Sequence, residues 1–166
     1  NFDLASEFNQ TLLIDLMYYP GADREYIVHM VDEFTKFSVT ELILSKDALT
    51  VCKSFMTKWL SVFGVPRAIR FDKGREFDNK IFQDLHERYG IDLQKIPANT
   101  KWKAGTIERH NGILQEVLET LNIELPDVDR SLRTAAATIA KNQLFDEDTL
   151  SPHQRVFGGV CRLPPY

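Results

Sequence analysis

The chain has 166 residues, 43% of them hydrophobic and 27% charged, with a net charge of −4. That length suffices for one compact domain with a sizeable core, and the acidic balance excludes a protein whose whole surface grips nucleic acid. No apolar run approaches the roughly 18 residues of a membrane span and no basic, apolar leader opens the chain, so neither a membrane span nor a signal peptide is expected.

Residues 9–18 are densely apolar, as in a central strand covered on both faces. Tyr18-Tyr19-Pro20-Gly21 then breaks the run with a turn. Residues 26–31 and 38–44 read as two further strands, joined tightly around Glu33 to Lys36, which makes an antiparallel meander. From Lys46 the period changes. Ala48, Cys52, Phe55, Met56, Trp59, Leu60 and Phe63 recur at helical spacing, with Asp47 or Ser45 as cap and Gly64 then Pro66 as stop. Residues 68–71 form a short strand, 79–89 a helix closed by Gly90, and 91–96 a fifth strand. Residues 97–104 read as a polar loop and 106–122 as a long helix with Ile107, Leu114, Val117, Leu118 and Leu121 on its buried stripe. An alanine-rich helix follows Pro126 to about Phe145, and Ser151-Pro152 starts a last short one. This order builds a five-stranded mixed sheet with helices on its faces, an α/β fold.

Cys52 and Cys161 stand far apart. A reduced core cysteine at position 52 suits an intracellular, reducing compartment. His29, His86, His110 and His153 share no ligand spacing with either cysteine, so no zinc site is read.

Three acids stand out. Asp15 sits inside the run Thr11-Leu12-Leu13-Ile14-Asp15-Leu16-Met17, where an ionised carboxylate is disfavoured unless it is paired or holds a cation. Asp72 ends the 68–71 strand and Glu108 opens the long helix, with 35 residues between them. Taken singly, each has an ordinary reading: a paired strand acid, an Asp-Lys-Gly turn, and an acid favouring the first helical turn. Taken together they form a set of hard oxygen donors suited to Mg²⁺ or Mn²⁺, which draw their remaining ligands from water and phosphates. Residues 67–109 carry ten Lys/Arg and seven Asp/Glu, a local +3 in a chain whose remainder is −7. That excess suits a phosphate-bearing substrate.

The motifs around the acids resemble the catalytic core of retroviral and LTR-retrotransposon integrases, with its Asp, Asp, 35-residue gap, Glu arrangement. Asp72, Gly74 and Phe77 match the strand-end Asp-Asn-Gly-x-x-Phe, with Lys73 in place of Asn. Gly105, Glu108, Arg109 and Asn111 match Gly-x-x-Glu-Arg-x-Asn. Asp32 to Thr35, Gly64-Val65-Pro66, and Ser151-Pro152 with Phe157-Gly158 and Leu163-Pro164 extend the likeness over roughly residues 9–164. Asp32 competes with Asp15 for the first acid position but belongs to a separate motif, and a turn or capping role is expected for it.

The resemblance implies a ribonuclease-H-like fold over residues 1–166, serving as a core without the family's N-terminal zinc-binding and C-terminal DNA-binding domains. It implies a polynucleotidyl transferase that trims the 3′ ends of a retroelement's DNA and joins them to target DNA. Asp15, Asp72 and Glu108 would hold two Mg²⁺ or Mn²⁺ ions. Lys73, Lys101, Lys103, Arg109, Asn111 and Gln115 are the candidate DNA contacts. Asn111 lies one helical turn after Glu108 and can orient water or phosphate there, or make a surface hydrogen bond. Residues 99–109 are read as a mobile loop whose Trp102 stacks on a base or packs beneath the loop. The implied partners are double-stranded DNA, a second core in a homodimer, and further copies in the full-length protein. The expected location is intracellular, in the nucleus for a eukaryotic element. Apolar surface for a dimer is sought on the alanine-rich helix and the Trp59 helix. Two other readings stand beside this one: a transposase core of the same fold, and a domesticated, non-catalytic DNA- or protein-binding module.

Overall fold

The computed structural model describes residues 3–72, 77, 79–97, 101–145 and 149–162, without the side chains of 101–104. Strands β1 (Thr11–Tyr18), β2 (Tyr26–Asp32) and β3 (Ser38–Ile43) form the antiparallel meander read from the sequence. Strands β4 (Ala68–Phe71) and β5 (Asp92–Lys95) add to the other side of β1, each parallel to its neighbour. The order across the sheet is therefore β3-β2-β1-β4-β5, the ribonuclease-H-like arrangement. Central β1 explains why its apolar run does not alternate: both faces are covered. Leu12 and Ile14 enter one core cluster, while Leu13 packs with Val31 and Ile107 on the other side.

The first face is sealed by α1 (Ala48–Phe55), a π-helical turn (Met56–Leu60), α2 (Ser61–Phe63) and α3 (Lys80–Tyr89). Val51, Cys52, Phe55, Trp59, Phe82 and Leu85 bring them onto the sheet. The second face is covered by α4 (Lys101–Glu124) and α5 (Arg130–Gln143), where Leu114, Leu118 and Ala137 meet Tyr19 and Ile27. Helix α6 (Pro152–Phe157) lays Phe157 against Phe37. The expected caps are present: Asp47 accepts from Thr50 N at 2.9 Å, and Ser151 and Gln154 form a reciprocal capping box. Gly64 (φ +87°) and Gly90 (φ +68°) end their helices in conformations that disfavour a side chain. Both cysteines are free thiols, Cys52 buried and Cys161 partly exposed.

Two local readings need correction. The helix expected through residues 48–63 is interrupted by the π turn. Phe55, Trp59 and Phe63 are spaced by four, which drifts around a helix of 3.6 residues per turn, and a wider turn reverses the drift. Trp59 is 0% exposed and donates from Nε1 to Asn9 Oδ1 at 2.8 Å. It belongs to this chain's own core and supplies no surface for a partner. The second correction concerns the expected loop at 99–109: α4 already begins at Lys101. Gly105 suggested a break, yet lysine and alanine before it favour helix, and a single internal glycine costs only about 1 kcal/mol. Residues 98–100 lie outside the described residues.

Candidate active site

Strand register brings the first two acids together. β1 and β4 run parallel with Ile14 beside Phe71, so the next residues along, Asp15 and Asp72, fall side by side. Pairing ends there, and the carboxylates stand beyond the C-terminal edge of β4. In open α/β sheets this crevice is where ligands collect. The acid inside β1 thus lies where the sheet opens.

Helix α4 delivers the third acid. Ile107 is buried against Leu13 and Val31, which fixes the helix over β1, and the adjacent Glu108 is exposed. One turn later Asn111 Nδ2 donates to Asp15 Oδ2 at 2.8 Å, while Asp15 Oδ1 accepts from Leu16 N at 2.8 Å. Burial raises the Asp15 pKa, the two hydrogen bonds lower it, and the negative charges of Asp72 and Glu108 push it up again. The three carboxylates share one field.

A divalent cation fits that donor set: three hard oxygen ligands whose mutual repulsion it would relieve. Among the described residues no group of three Asp, Glu, His or Cys side chains is already drawn to ion-holding distances.

Asn111 also makes a second contact, absent from the sequence reading. Its Oδ1 lies 2.7 Å from His29 Nδ1, and His29 Nε2 lies 2.8 Å from Ser38 Oγ. Ser38 is clamped in turn by Asn142 of α5, through Ser38 N to Asn142 Oδ1 and Asn142 Nδ2 to Ser38 O, both at 2.8 Å. His29 is wholly buried, and burial holds its pKa at about 3. A neutral ring with its proton on Nδ1 gives every bond one sense: Ser38 donates to His29, His29 to Asn111, and Asn111 to Asp15. This chain orients the amide that orients Asp15. A histidine inside the apolar stretch Tyr26 to Val31, directly opposite Asp15 in register, was the available signal.

Asp32 has the expected capping role, accepting from Asn9 N at 2.9 Å, Thr35 N at 2.7 Å and Thr35 Oγ1 at 2.8 Å. Of the candidate DNA contacts, Asn111 and Gln115 line one shallow groove of about 580 Å³ together with Tyr18 and Asp23. Gln115 Nε2 donates there to Glu119 Oε1 at 2.8 Å. Arg109 faces a different cavity, shared with His110 and Lys141. Lys73 and the side chains of Lys101, Trp102 and Lys103 lie outside the described residues.

Comparison with known proteins follows the same geometry. The sequence profile of the integrase core domain family matches residues 5–99. The Gag-Pol polyprotein of Koala retrovirus is 27% identical over 134 residues, 81% of this chain and 8% of that protein. The retrovirus-related Pol polyprotein from transposon 412 of Drosophila melanogaster is 26% identical over 143 residues, 86% of this chain and 12% of that protein. This chain thus spans about a tenth of the length of such relatives. Among solved structures, the HTLV-2 integrase catalytic core domain in complex with magnesium superposes with a TM-score of 0.76 at 21% identity, covering 89% of this chain and 95% of that one. A simian T-cell lymphotropic virus intasome with a PP2A regulatory subunit gives 0.81 at 19% identity, covering 95% of this chain and 56% of the matched one. These two likenesses establish the fold.

Proposed function

From the premise that this chain belongs to the integrase core domain family, we propose that it is the catalytic core of a retroelement integrase, trimming the element's 3′ ends and joining them to target DNA. One observation carries the reading: Asp15 and Asp72 lie side by side where the sheet opens, with Glu108 in the same field and Asn111 holding Asp15. Mg²⁺ or Mn²⁺, two ions in this reading, would supply activation of the attacking oxygen and charge stabilisation of the leaving one when bound. Asp15, Asp72 and Glu108 would hold the ions. Asn111 fixes the Asp15 carboxylate, so that less rearrangement is needed when the substrate arrives. The groove along Tyr18, Asn111 and Gln115 is a path for one DNA strand beside the acids, with Lys73, Lys101 and Lys103 as further phosphate contacts. In this reading the protein works inside the cell, in the nucleus where the element is a eukaryotic one.

The test uses the parent protein and duplexes that carry its element's own ends. Joined products in Mg²⁺ are expected. Specific DNA binding without any joining would favour the domesticated module instead.

A second copy of the core is the proposed partner in a dimer. Helix α5 presents Leu132 (62% exposed), Ala135, Ala136 and Ile139 (51% exposed) along one outer face, spaced by three and four residues. Two-fold pairing of that face covers it in both copies. Light scattering is expected to give twice the chain mass for wild type and the monomer mass for Ile139→Asp. A monomer mass for wild type at all concentrations would rule the dimer out.

A further inference from the structure

Lys141 of α5 is a buried cation that the proposed catalysis does not use. It is 2% exposed, and its Nζ donates to Lys36 O at 3.2 Å. Among the described residues it forms no ion pair with a carboxylate. A buried charge without a partner is strongly disfavoured. Burial, with the neighbouring Lys36 charge, lowers its pKa to about 7. Beside it, His110 is 9% exposed, and its buried Nδ1 has no hydrogen-bond partner. A buried cation without a carboxylate and an unsatisfied ring nitrogen thus stand in one place.

Both groups line a half-open pocket of about 210 Å³ between α4, α5, the β2–β3 turn and the start of α6. Lys36 and Arg109 add positive charge to its walls, although Lys36 Nζ also donates to Glu33 O at 2.5 Å. The rest of the lining is apolar, from Ile113, Leu144 and Phe145. An apolar cavity of about 150 Å³ is enough to admit a benzene ring. We propose that this cavity binds a small organic anion, a single ring or short apolar body bearing one carboxylate or phosphate. Its charged end meets Lys141, an oxygen of that end accepts a hydrogen bond from His110 Nδ1, and its body lies against Ile113 and Phe145. The site lies on the opposite flank of α4 from the Asn111 groove, and it stands whether or not the acids catalyse.

Titration of this chain with benzoate, followed by two-dimensional amide NMR, tests the assignment. A Kd on the order of 1 mM is expected for so small a ligand, with shifts centred on His110, Lys141 and Phe145. At roughly five times Kd the melting temperature should rise by about 2–4 °C. Toluene, the neutral isostere, should bind at least tenfold more weakly, and Lys141→Met should lose at least tenfold in benzoate affinity while still melting cooperatively. If Lys141→Met does not fold, Lys141→Gln serves with the same expectation. Equal binding of toluene and benzoate, or unchanged benzoate affinity in the folded variant, overturns the proposal. Displacement of benzoate by a DNA duplex at lower concentration than by phenyl phosphate also overturns it, because the cavity then belongs to the DNA path. So does benzoate binding seen only after Asp146→Asn, Glu147→Gln and Asp148→Asn are combined, since the chain's own acids would then be the occupant.

Discussion

Glu108→Gln is expected to abolish reversal of strand transfer by this chain, by at least about 10³-fold on a branched DNA that mimics the integration product. Such a substrate already carries the geometry that further domains would otherwise impose, so the core alone should process it, weakly and best in Mn²⁺. Glutamine keeps the side-chain shape but removes the ligand charge. Glu108 is exposed on α4, and its neighbour Ile107 does the packing, so fold and dimer should be untouched. Asn111→Ala supplies the graded comparison. It removes the hydrogen bond that positions Asp15 but no ionic ligand, and a loss of about 10–100-fold is expected, the usual range for groups that orient metal ligands. Lys103→Ala should lower apparent DNA affinity and flatten its salt dependence, with the chemical step retained. Wild type and Glu108→Gln of equal activity would assign the activity to another site. Inactivity of wild type on a verified branched substrate would favour the binding module.

Arg70→Met is expected to destabilise the fold by about 3–5 kcal/mol, the range seen when one partner of a buried ion pair is removed. Arg70 lies on β4 and is 4% exposed, and its guanidinium pairs with Glu33, which is 9% exposed, in the β2–β3 turn. Nε and a terminal nitrogen of the same group donate to Gln94 Oε1 on β5 at 3.2 and 3.1 Å, while Glu33 Oε2 accepts from Ala5 N at 2.9 Å. One charge pair therefore ties the N-terminal segment, the β2–β3 turn, β4 and β5. Methionine fills much of the space but leaves the Glu33 carboxylate buried with a single backbone donor. The double variant Arg70→Met, Glu33→Gln should recover part of the loss, because no uncompensated charge remains. Urea denaturation monitored by circular dichroism gives both values. A loss below about 1 kcal/mol in the single variant would mean that water reaches Glu33 and the pair acts as a surface bridge.

The elements were legible because their signals are local. Helical spacing of Cys52, Phe55 and Trp59, the Asp47 and Ser151 caps and the Gly64 and Gly90 stops each act within a few residues. Errors arose where local chemistry permits two answers. Gly105 reads as a loop residue and sits in a helix, and spacing by four fits an α or a π turn equally well. At the site, the acids could be named from spacing and motif, and Asp32 could be set aside for its turn. The tertiary structure decided which groups touch.

That division has a physical cause. Periodicity, capping and turn chemistry depend on neighbours within a turn or two, so the chain by itself determined five strands, the helices between them and three acids out of place in apolar or element-end positions. Hydrogen-bond partners of a buried side chain are chosen by packing across the whole chain. Asn111 reaches Asp15 across 96 residues and His29 across 82, Ser38 meets Asn142 across 104, and Arg70 finds Glu33 across 37. No window of sequence holds both ends of such a contact. Only the β1–β4 register and the placement of α4 over β1 bring Asp15, Asp72 and Glu108 into one field, and only the packing of α5 leaves Lys141 buried beside His110 without a carboxylate among the described residues.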